Sequence, residues 1–220
     1  TGEAANATIS AEESKMDWKS DHTIKVDGVK IHIPGGTLYK DENISLSTKA
    51  ACAKCETSIY SIGNKTIPAQ NRMTLSIHKD QLSKKEKLVW AAMNGNGNGS
   101  GLTTKWDGDW LIAHPKEFGD YAIMEDKAAP TINVSNFANG KIVKRGSKIS
   151  MTATDYLSGI TFYEATIDDK WALLQHDAKR NYFWHDFEDS LTPGSHVITL
   201  TFKDEVGNIA TFQSVFTYQP

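Results

Sequence analysis

"TATDYLSGITFYEATIDDKW", residues 152–171, sets a Ser-Gly pair between two segments rich in β-branched and aromatic residues, with Asp155, Glu164, Asp168 and Asp169 around it. Carboxylates beside a glycine serve as catalytic or metal-binding groups, or as turn chemistry. In a turn an Asp side chain accepts backbone N–H bonds and Gly tolerates positive φ. The flanking pattern decides. "KISMTATD" closes at Asp155 and "ITFYEATID" opens at Ile160, so the chain reverses at Ser158-Gly159. "FKDEVGNIATF" repeats the device with Asp204, Gly207 and Asn208, and Asp168-Asp169 mark a third turn before Trp171. One turn chemistry at several corners is architecture, whereas an active site is needed once. A calcium ion shared by the loop carboxylates is the alternative, although no D-x-D-x-D-G loop is present.

Outward from that stretch, "TINVSNF", "KISMTATD", "ITFYEATID", "KWALLQHD", "RNYFWHDF", "SHVITLTFKD" and "NIATFQSVFTY" read as seven short strands separated by turns. That is the strand count of an immunoglobulin-like sandwich, expected over 128–220. Ile149, Met151 and Ala153 share one strand face, as do Ile198, Leu200 and Phe202, and these six are expected in the core. Before it, "FGDYAIMEDKAAPTINVSNF" runs from an apolar strand through Asp126-Lys127-Ala128-Ala129 to Pro130 and restarts a β pattern, which marks a domain boundary.

The residues before that boundary predict a second sandwich over 21–127. "HTIKVDGVKIHIP" alternates across Asp27-Gly28, a pair that favours a tight hairpin turn. "ISLSTKA", "TSIYSIGN", "RMTLSIHKD", "EKLVWAAM", "DWLIAHP" and "DYAIMED" continue as strands, and "KDQLSKKEKL" is expected to make one helical turn at most. "NGNGNGSG", residues 94–101, lacks the following helix and Lys-Ser or Lys-Thr of a phosphate loop, so it reads as a flexible hairpin tip. Residues 1–20, Ala-, Glu- and Ser-rich, read as linker. The fold class expected is all-β, two consecutive sandwiches.

With 220 residues, 39% of them hydrophobic, the chain can bury two cores of this kind. A net charge of −3 gives no basic footprint for nucleic acid and no polybasic membrane anchor. No apolar run approaches the ~18 residues of a membrane span, and the polar opening carries no signal peptide, as expected of a trimmed or excised fragment.

"APTI", "TDYLSGITFYEATIDDKW" and "PGSHVITLTFKDEVGNIATF" resemble the C-terminal immunoglobulin-like domain of Bacteroidetes secreted cell-wall metallopeptidases of the lysostaphin-like family. "VKIHIPGGTLY", "SIYSIGNKTIP" and "WDGDWLIAHPKEFGDYAIMEDKAAP" are similar to the β domain that precedes it there, so the resemblance covers about residues 25–218. "IHIPGGTL" also resembles the β domain shared by ankyrins and netrin receptors. The peptidase resemblance implies an exported protein, in the periplasm, at the outer-membrane surface or extracellular. It also implies an accessory region that positions or targets a peptidoglycan hydrolase domain lying N-terminal to this chain.

The peptidases' zinc set includes an H-x-H pair. Of His22, His32, His78, His114, His176, His185 and His196, no two are spaced two apart, so no catalytic residue, metal or cofactor is assigned here. His176-Asp177 and His185-Asp186 place four possible ligands close in sequence, but adjacent strand residues point to opposite faces. Trp171, Tyr182 and Trp184 are candidate aromatics for a sugar face, alongside Phe183. Cys52 and Cys55, in "CAKC", have no second metal-binding pair and no redox-motif context, so a local disulfide clasp or two free thiols remain, with export favouring the clasp. The expected role is a non-catalytic accessory module whose partners are cell-wall glycan, peptidoglycan or an attached peptidase domain. A glycan- or protein-binding, adhesin-like module is the rival, and an enzyme with its own cleft is the third class.

Overall fold

The computed structural model describes residues 8–83, 86–187 and 191–220 and divides into two all-β units, Thr1–Asp126 and Lys127–Pro220. The first contains β1 (Thr8–Met16), β2 (His22–Val26), β3 (Val29–Ile33), β4 (Glu42–Lys49), β5 (Ile59–Ile62), β6 (Thr74–His78), β7 (Leu88–Met93), β8 (Gly99–Gly101), β9 (Thr104–Asp107), β10 (Trp110–Ala113) and β11 (Gly119–Glu125). They form two sheets, in the orders β1-β4-β5-β11-β7-β8 and β2-β3-β6-β10-β9. Among the described residues the only helical element is one 3-10 turn at Lys79–Gln81; Lys84 and Lys85 of that segment lie outside the described residues.

Period-two alternation fills the space between these sheets. Val29, Ile31 and Ile33 of β3 and Ile44 and Leu46 of β4 are buried, while Lys30 and Ser45 face water. The β2–β3 hairpin turns at Asp27 and Gly28, both with positive φ, the backbone that a two-residue hairpin loop matching strand twist requires. Trp90, fully buried on β7, donates its indole Nε1–H to the carbonyl of Leu111 on β10 at 3.0 Å, tying one sheet to the other.

The linker expected over residues 1–20 is corrected by β1, whose residues pair antiparallel with β4 from Thr8↔Lys49 to Met16↔Glu42. Met16 is fully buried. An edge strand has a partner on one side only and pairs through its backbone, so a polar composition is compatible with it. Residues 1–7 of that expected linker lie outside the described residues. The glycine-rich stretch turns at Asn94–Asn98 and then re-enters the sheet as β8, paired with β7.

The second unit holds β12 (Thr131–Val134), β13 (Lys141–Val143), β14 (Lys148–Thr154), β15 (Ile160–Ile167), β16 (Lys170–Ala172), β17 (Gln175–Asp177), β18 (Tyr182–Asp186), β19 (Gly194–Asp204) and β20 (Ile209–Tyr218). A four-stranded sheet, β12-β14-β18-β17, faces a five-stranded one, β13-β20-β19-β15-β16. Ile149, Met151 and Ala153 from one sheet and Ile198, Leu200 and Phe202 from the other are buried in one core. Phe183 meets Phe202 edge-on there, with ring centroids 4.9 Å apart.

Nine strands stand where seven are read from the sequence, for two reasons. β13 is a three-residue strand that pairs in parallel with β20. "KWALLQHD" is two strands, because β16 pairs with β15 in one sheet and β17 with β18 in the other.

The corner turns follow from the carboxylates. Asp155 Oδ1 accepts the N–H groups of Leu157, Ser158 and Gly159 at 3.2, 2.9 and 2.8 Å. Asp204 Oδ1 accepts the Asn208 N–H, and its Oδ2 the Asn208 side-chain amide, both at 2.7 Å. Gly159 and Gly207 both take positive φ. The Glu205 N–H donates to the Gly159 carbonyl, fastening one turn to the other.

Candidate functional site

The chain leaves β16 in one sheet and enters β17 in the other at Leu173-Leu174, on the edge of the second sandwich. A cleft of about 480 Å³ opens there. The β15–β16 turn at Asp168 borders it on one side and the end of β18, at His185 and Asp186, on the other. Leu173 is held in place at the crossing by His185, whose Nδ1–H donates to the Leu173 carbonyl at 2.8 Å. A carbonyl only accepts, so the neutral His185 ring carries its proton on Nδ1 and leaves Nε2 as an acceptor.

Asp186 is fixed by several donors. Its Oδ2 accepts from Gln175 Nε2 at 2.8 Å and from Trp184 Nε1 at 3.1 Å, and Lys148 Nζ lies 3.4 Å from Oδ1. Trp171, at the rim, is 68% exposed, and among the described residues no ring stacks on it.

The floor contains an ion pair between a buried histidine and an exposed carboxylate. His196 is 6% exposed; its Nδ1 lies 2.6 Å from Asp168 Oδ2 and its Nε2 2.7 Å from the Thr192 carbonyl. Both partners accept, so only the imidazolium satisfies both ring nitrogens. The hydrogen bond that His196 donates to Asp168, reinforced by the one to the Thr192 carbonyl, raises the His196 pKa above the ordinary histidine value. The same bond, with the N–H of Val197 on Asp168 Oδ1, lowers the Asp168 pKa. A general base needs an open lone pair, and this ring has none. The dyad pins the β15–β16 turn to β19.

The three aromatic candidates occupy two places. Trp171 borders the cleft on the edge of the five-stranded sheet, whereas Tyr182 and Trp184 sit half-buried on β18. Those two rings stack on each other at 5.6 Å, and Lys148 Nζ lies 5.4 Å from the Trp184 ring. Phe183 points into the core. His176 stacks flat on Phe183 at 4.0 Å, and Asp177 accepts the Lys179 N–H. The His-Asp pairs are therefore committed to packing and local hydrogen bonds. His185 and Asp189 have the H-x(3)-D spacing, but Asp189 lies outside the described residues.

Asp155 and Asp204 bring carboxylate oxygens within 4.8 Å of each other. Calcium takes six to eight oxygens. Five turn hydrogen bonds already fall on these two side chains. Asp168 and Asp169 both adopt positive φ in the β15–β16 turn, and Glu164 faces Thr201 across β15 and β19.

The first unit has its own signature. A family model, the Zu5-like domain, matches residues 13–126, from within β1 past the end of β11. The chain belongs to the Zu5-like domain family. The match covers just over half of the 220 residues and stops at the boundary between the units. No curated protein matches the chain. In the Zu5-like unit Cys52 and Cys55 are joined as a disulfide after β4, across a turn in which the Cys55 N–H donates to the Cys52 carbonyl at 3.0 Å.

Sequence reasoning singled out Trp171, the His185-Asp186 pair as possible metal ligands and Asp168 as a turn residue, but it did not bring them together in one cleft, and it missed Gln175 and the pairing of Asp168 with His196. Asp168 and His196 lie 28 residues apart, and no local pattern joins them.

Proposed function

We propose that the chain is a non-catalytic binding and positioning region of an exported bacterial envelope protein. Its second sandwich holds a neutral glycan in the cleft beside β16 and β17. By doing so it keeps an attached domain, a peptidoglycan hydrolase by the sequence resemblance, close to the wall. The observation that carries this reading is the open ring face of Trp171 beside a fixed Asp186–Gln175 pair. Sugar rings present apolar C–H faces and neighbouring hydroxyls. An unstacked indole receives the first, and a carboxylate and amide fixed by their mutual hydrogen bond receive the second. Asp168 is balanced by the His196 imidazolium and Asp186 by Lys148, and Lys170 in the lining also acts on Asp168, so charges of both signs meet in the cleft and neither dominates it.

Calorimetric titration with soluble N-acetylglucosamine oligomers tests this, comparing the wild type with Trp171→Ala. Binding that weakens at least tenfold in the variant is expected. Equal binding by both proteins, or peptidoglycan cleavage that depends on a stoichiometric zinc found by elemental analysis, would overturn the reading.

A further inference from the structure

A second cleft, of about 720 Å³, lies in the Zu5-like unit beside β9 and β10. Its floor is aliphatic, made by Ala92, Leu102, Ile112 and Pro115. Its rim is cationic: Arg72, Lys105 and Lys116 border it, with Glu117 the single acidic residue in the lining. All three cations are exposed, and among the described residues none pairs with an acid. In a chain of net charge −3, bulk charge does not explain three unneutralised cations around one apolar floor.

Local geometry fixes this rim. Arg72 precedes β6 and donates from Nη1 to the His114 carbonyl at 2.9 Å, while the Met73 N–H donates to the Pro115 carbonyl at 2.9 Å. The His114 ring is held by Thr74 Oγ1 at 3.1 Å. The segment 114–117 is therefore laced to the start of β6, and Arg72 keeps guanidinium N–H groups for a ligand. Tyr121, the one Phe, Tyr or Trp in the lining, is 3% exposed and donates its hydroxyl to the Glu117 carbonyl.

We infer that this cleft binds an extended acidic segment of a protein partner, one in which Asp or Glu alternates with aliphatic side chains. Alternation in an extended chain sends carboxylates to the rim and aliphatic groups to the floor. An acidic polysaccharide would find the cations but no exposed Trp, Tyr or Phe face on which to stack, unlike the cleft beside Trp171. The inference does not depend on the glycan reading, because it concerns the other unit and different residues.

The test is fluorescence anisotropy with a labelled peptide of alternating glutamate and leucine, using the full chain at low and physiological salt. Polygalacturonate serves as the acidic-glycan competitor. The variant is Lys105→Glu with Lys116→Glu; both lysines are exposed, and Arg72 is left intact because it holds the 114–117 segment. Saturable binding is expected, weakened at least tenfold by the double variant and by salt, and unchanged by Trp171→Ala. A melting curve of the double variant that matches the wild type assigns the loss to the cleft. No saturable binding to the wild type, equal binding by a folded double variant, or polygalacturonate displacing the peptide as the tighter ligand would each overturn the inference.

Discussion

Replacing Asp168 by Asn removes the charge that holds His196 while keeping the side-chain size, and Asn tolerates the positive φ found at this position. The sign of the pH effect follows from the two shifts. His196 has a folded pKa above the unfolded histidine value of about 6.5, so its contribution is complete below that pH and is lost as pH rises through the folded pKa. Asp168 has a folded pKa below about 3.8, so its contribution is present above that value and is lost as pH falls through the folded pKa. The pair therefore stabilises the second unit most between about pH 4 and 6.5 and progressively less in mildly alkaline solution. A hydrogen bond between charged groups contributes about 1.5–3 kcal/mol. The Asp168 side chain is 45% exposed, and solvent screening reduces the figure to the order of 1 kcal/mol. In a unit of this size that is about 4–8 °C in Tm. Melting curves of wild type and Asp168→Asn at pH 5.5 and pH 9 should show a wide gap at the lower pH and a narrow one at the higher. Imidazole resonances followed by NMR should give His196 the higher pKa in the wild type. A gap of equal size at both pH values, or a His196 that titrates below free histidine, refutes the reasoning.

Asp155→Ala strips the acceptor from three turn N–H groups and should cost about 1–2 kcal/mol, with Asp155→Asn recovering part; urea denaturation with unchanged stability would show that the turn does not need it. Gly99→Ala would place a Cβ 2.6 Å from Met124 Sδ and 2.8 Å from Ala91 Cβ, costing about 1–3 kcal/mol by overpacking, while Gly95→Ala, with nothing within 4 Å, should be neutral in the same melts. Replacing Cys52 and Cys55 by Ser opens a four-residue loop and should cost no more than about 2 kcal/mol, leaving the fold intact. Thiol titration of the denatured wild type should find none free; two reactive thiols, or collapse of the double variant, would contradict this.

The elements that were legible in sequence are those in which one local rule fixes the outcome. Asp27-Gly28 specifies a hairpin because the loop needs positive φ at both residues, and the structure has it. Ile149, Met151 and Ala153 specify a core face because a half-buried strand must alternate. β1 and β13 were not legible. β1 sits at the end of a sheet and pairs through its backbone, which leaves little hydrophobic pattern to read. β13 has only three residues, pairs in parallel with a strand more than 70 residues later, and carries Ile142 exposed.

The cleft beside Trp171 was hidden for a more specific reason. From Ala172 to Leu174 the side chains alternate, Ala172 and Leu174 buried and Leu173 exposed, and His176 keeps the inward parity by stacking on the core residue Phe183 although the end of β17 leaves it exposed. Alternation reports which side of the backbone faces the core and carries no record of which strand supplies the hydrogen bonds. A chain crossing the edge of a sandwich from one sheet to the other keeps the same inward parity, because both sheets share one core. "KWALLQHD" therefore reads as one strand although its partner changes from β15 to β18. At such a crossing neither sheet continues past the edge, so the gap is closed only by side chains arriving from elsewhere. Here those are His185, which holds Leu173, and the Asp168–His196 pair, which holds the turn before β16. The same departure from regular pairing that conceals the crossing in sequence leaves Trp171 with an open ring face at this edge, whereas on the continuous face of β18 Tyr182 and Trp184 stack on each other.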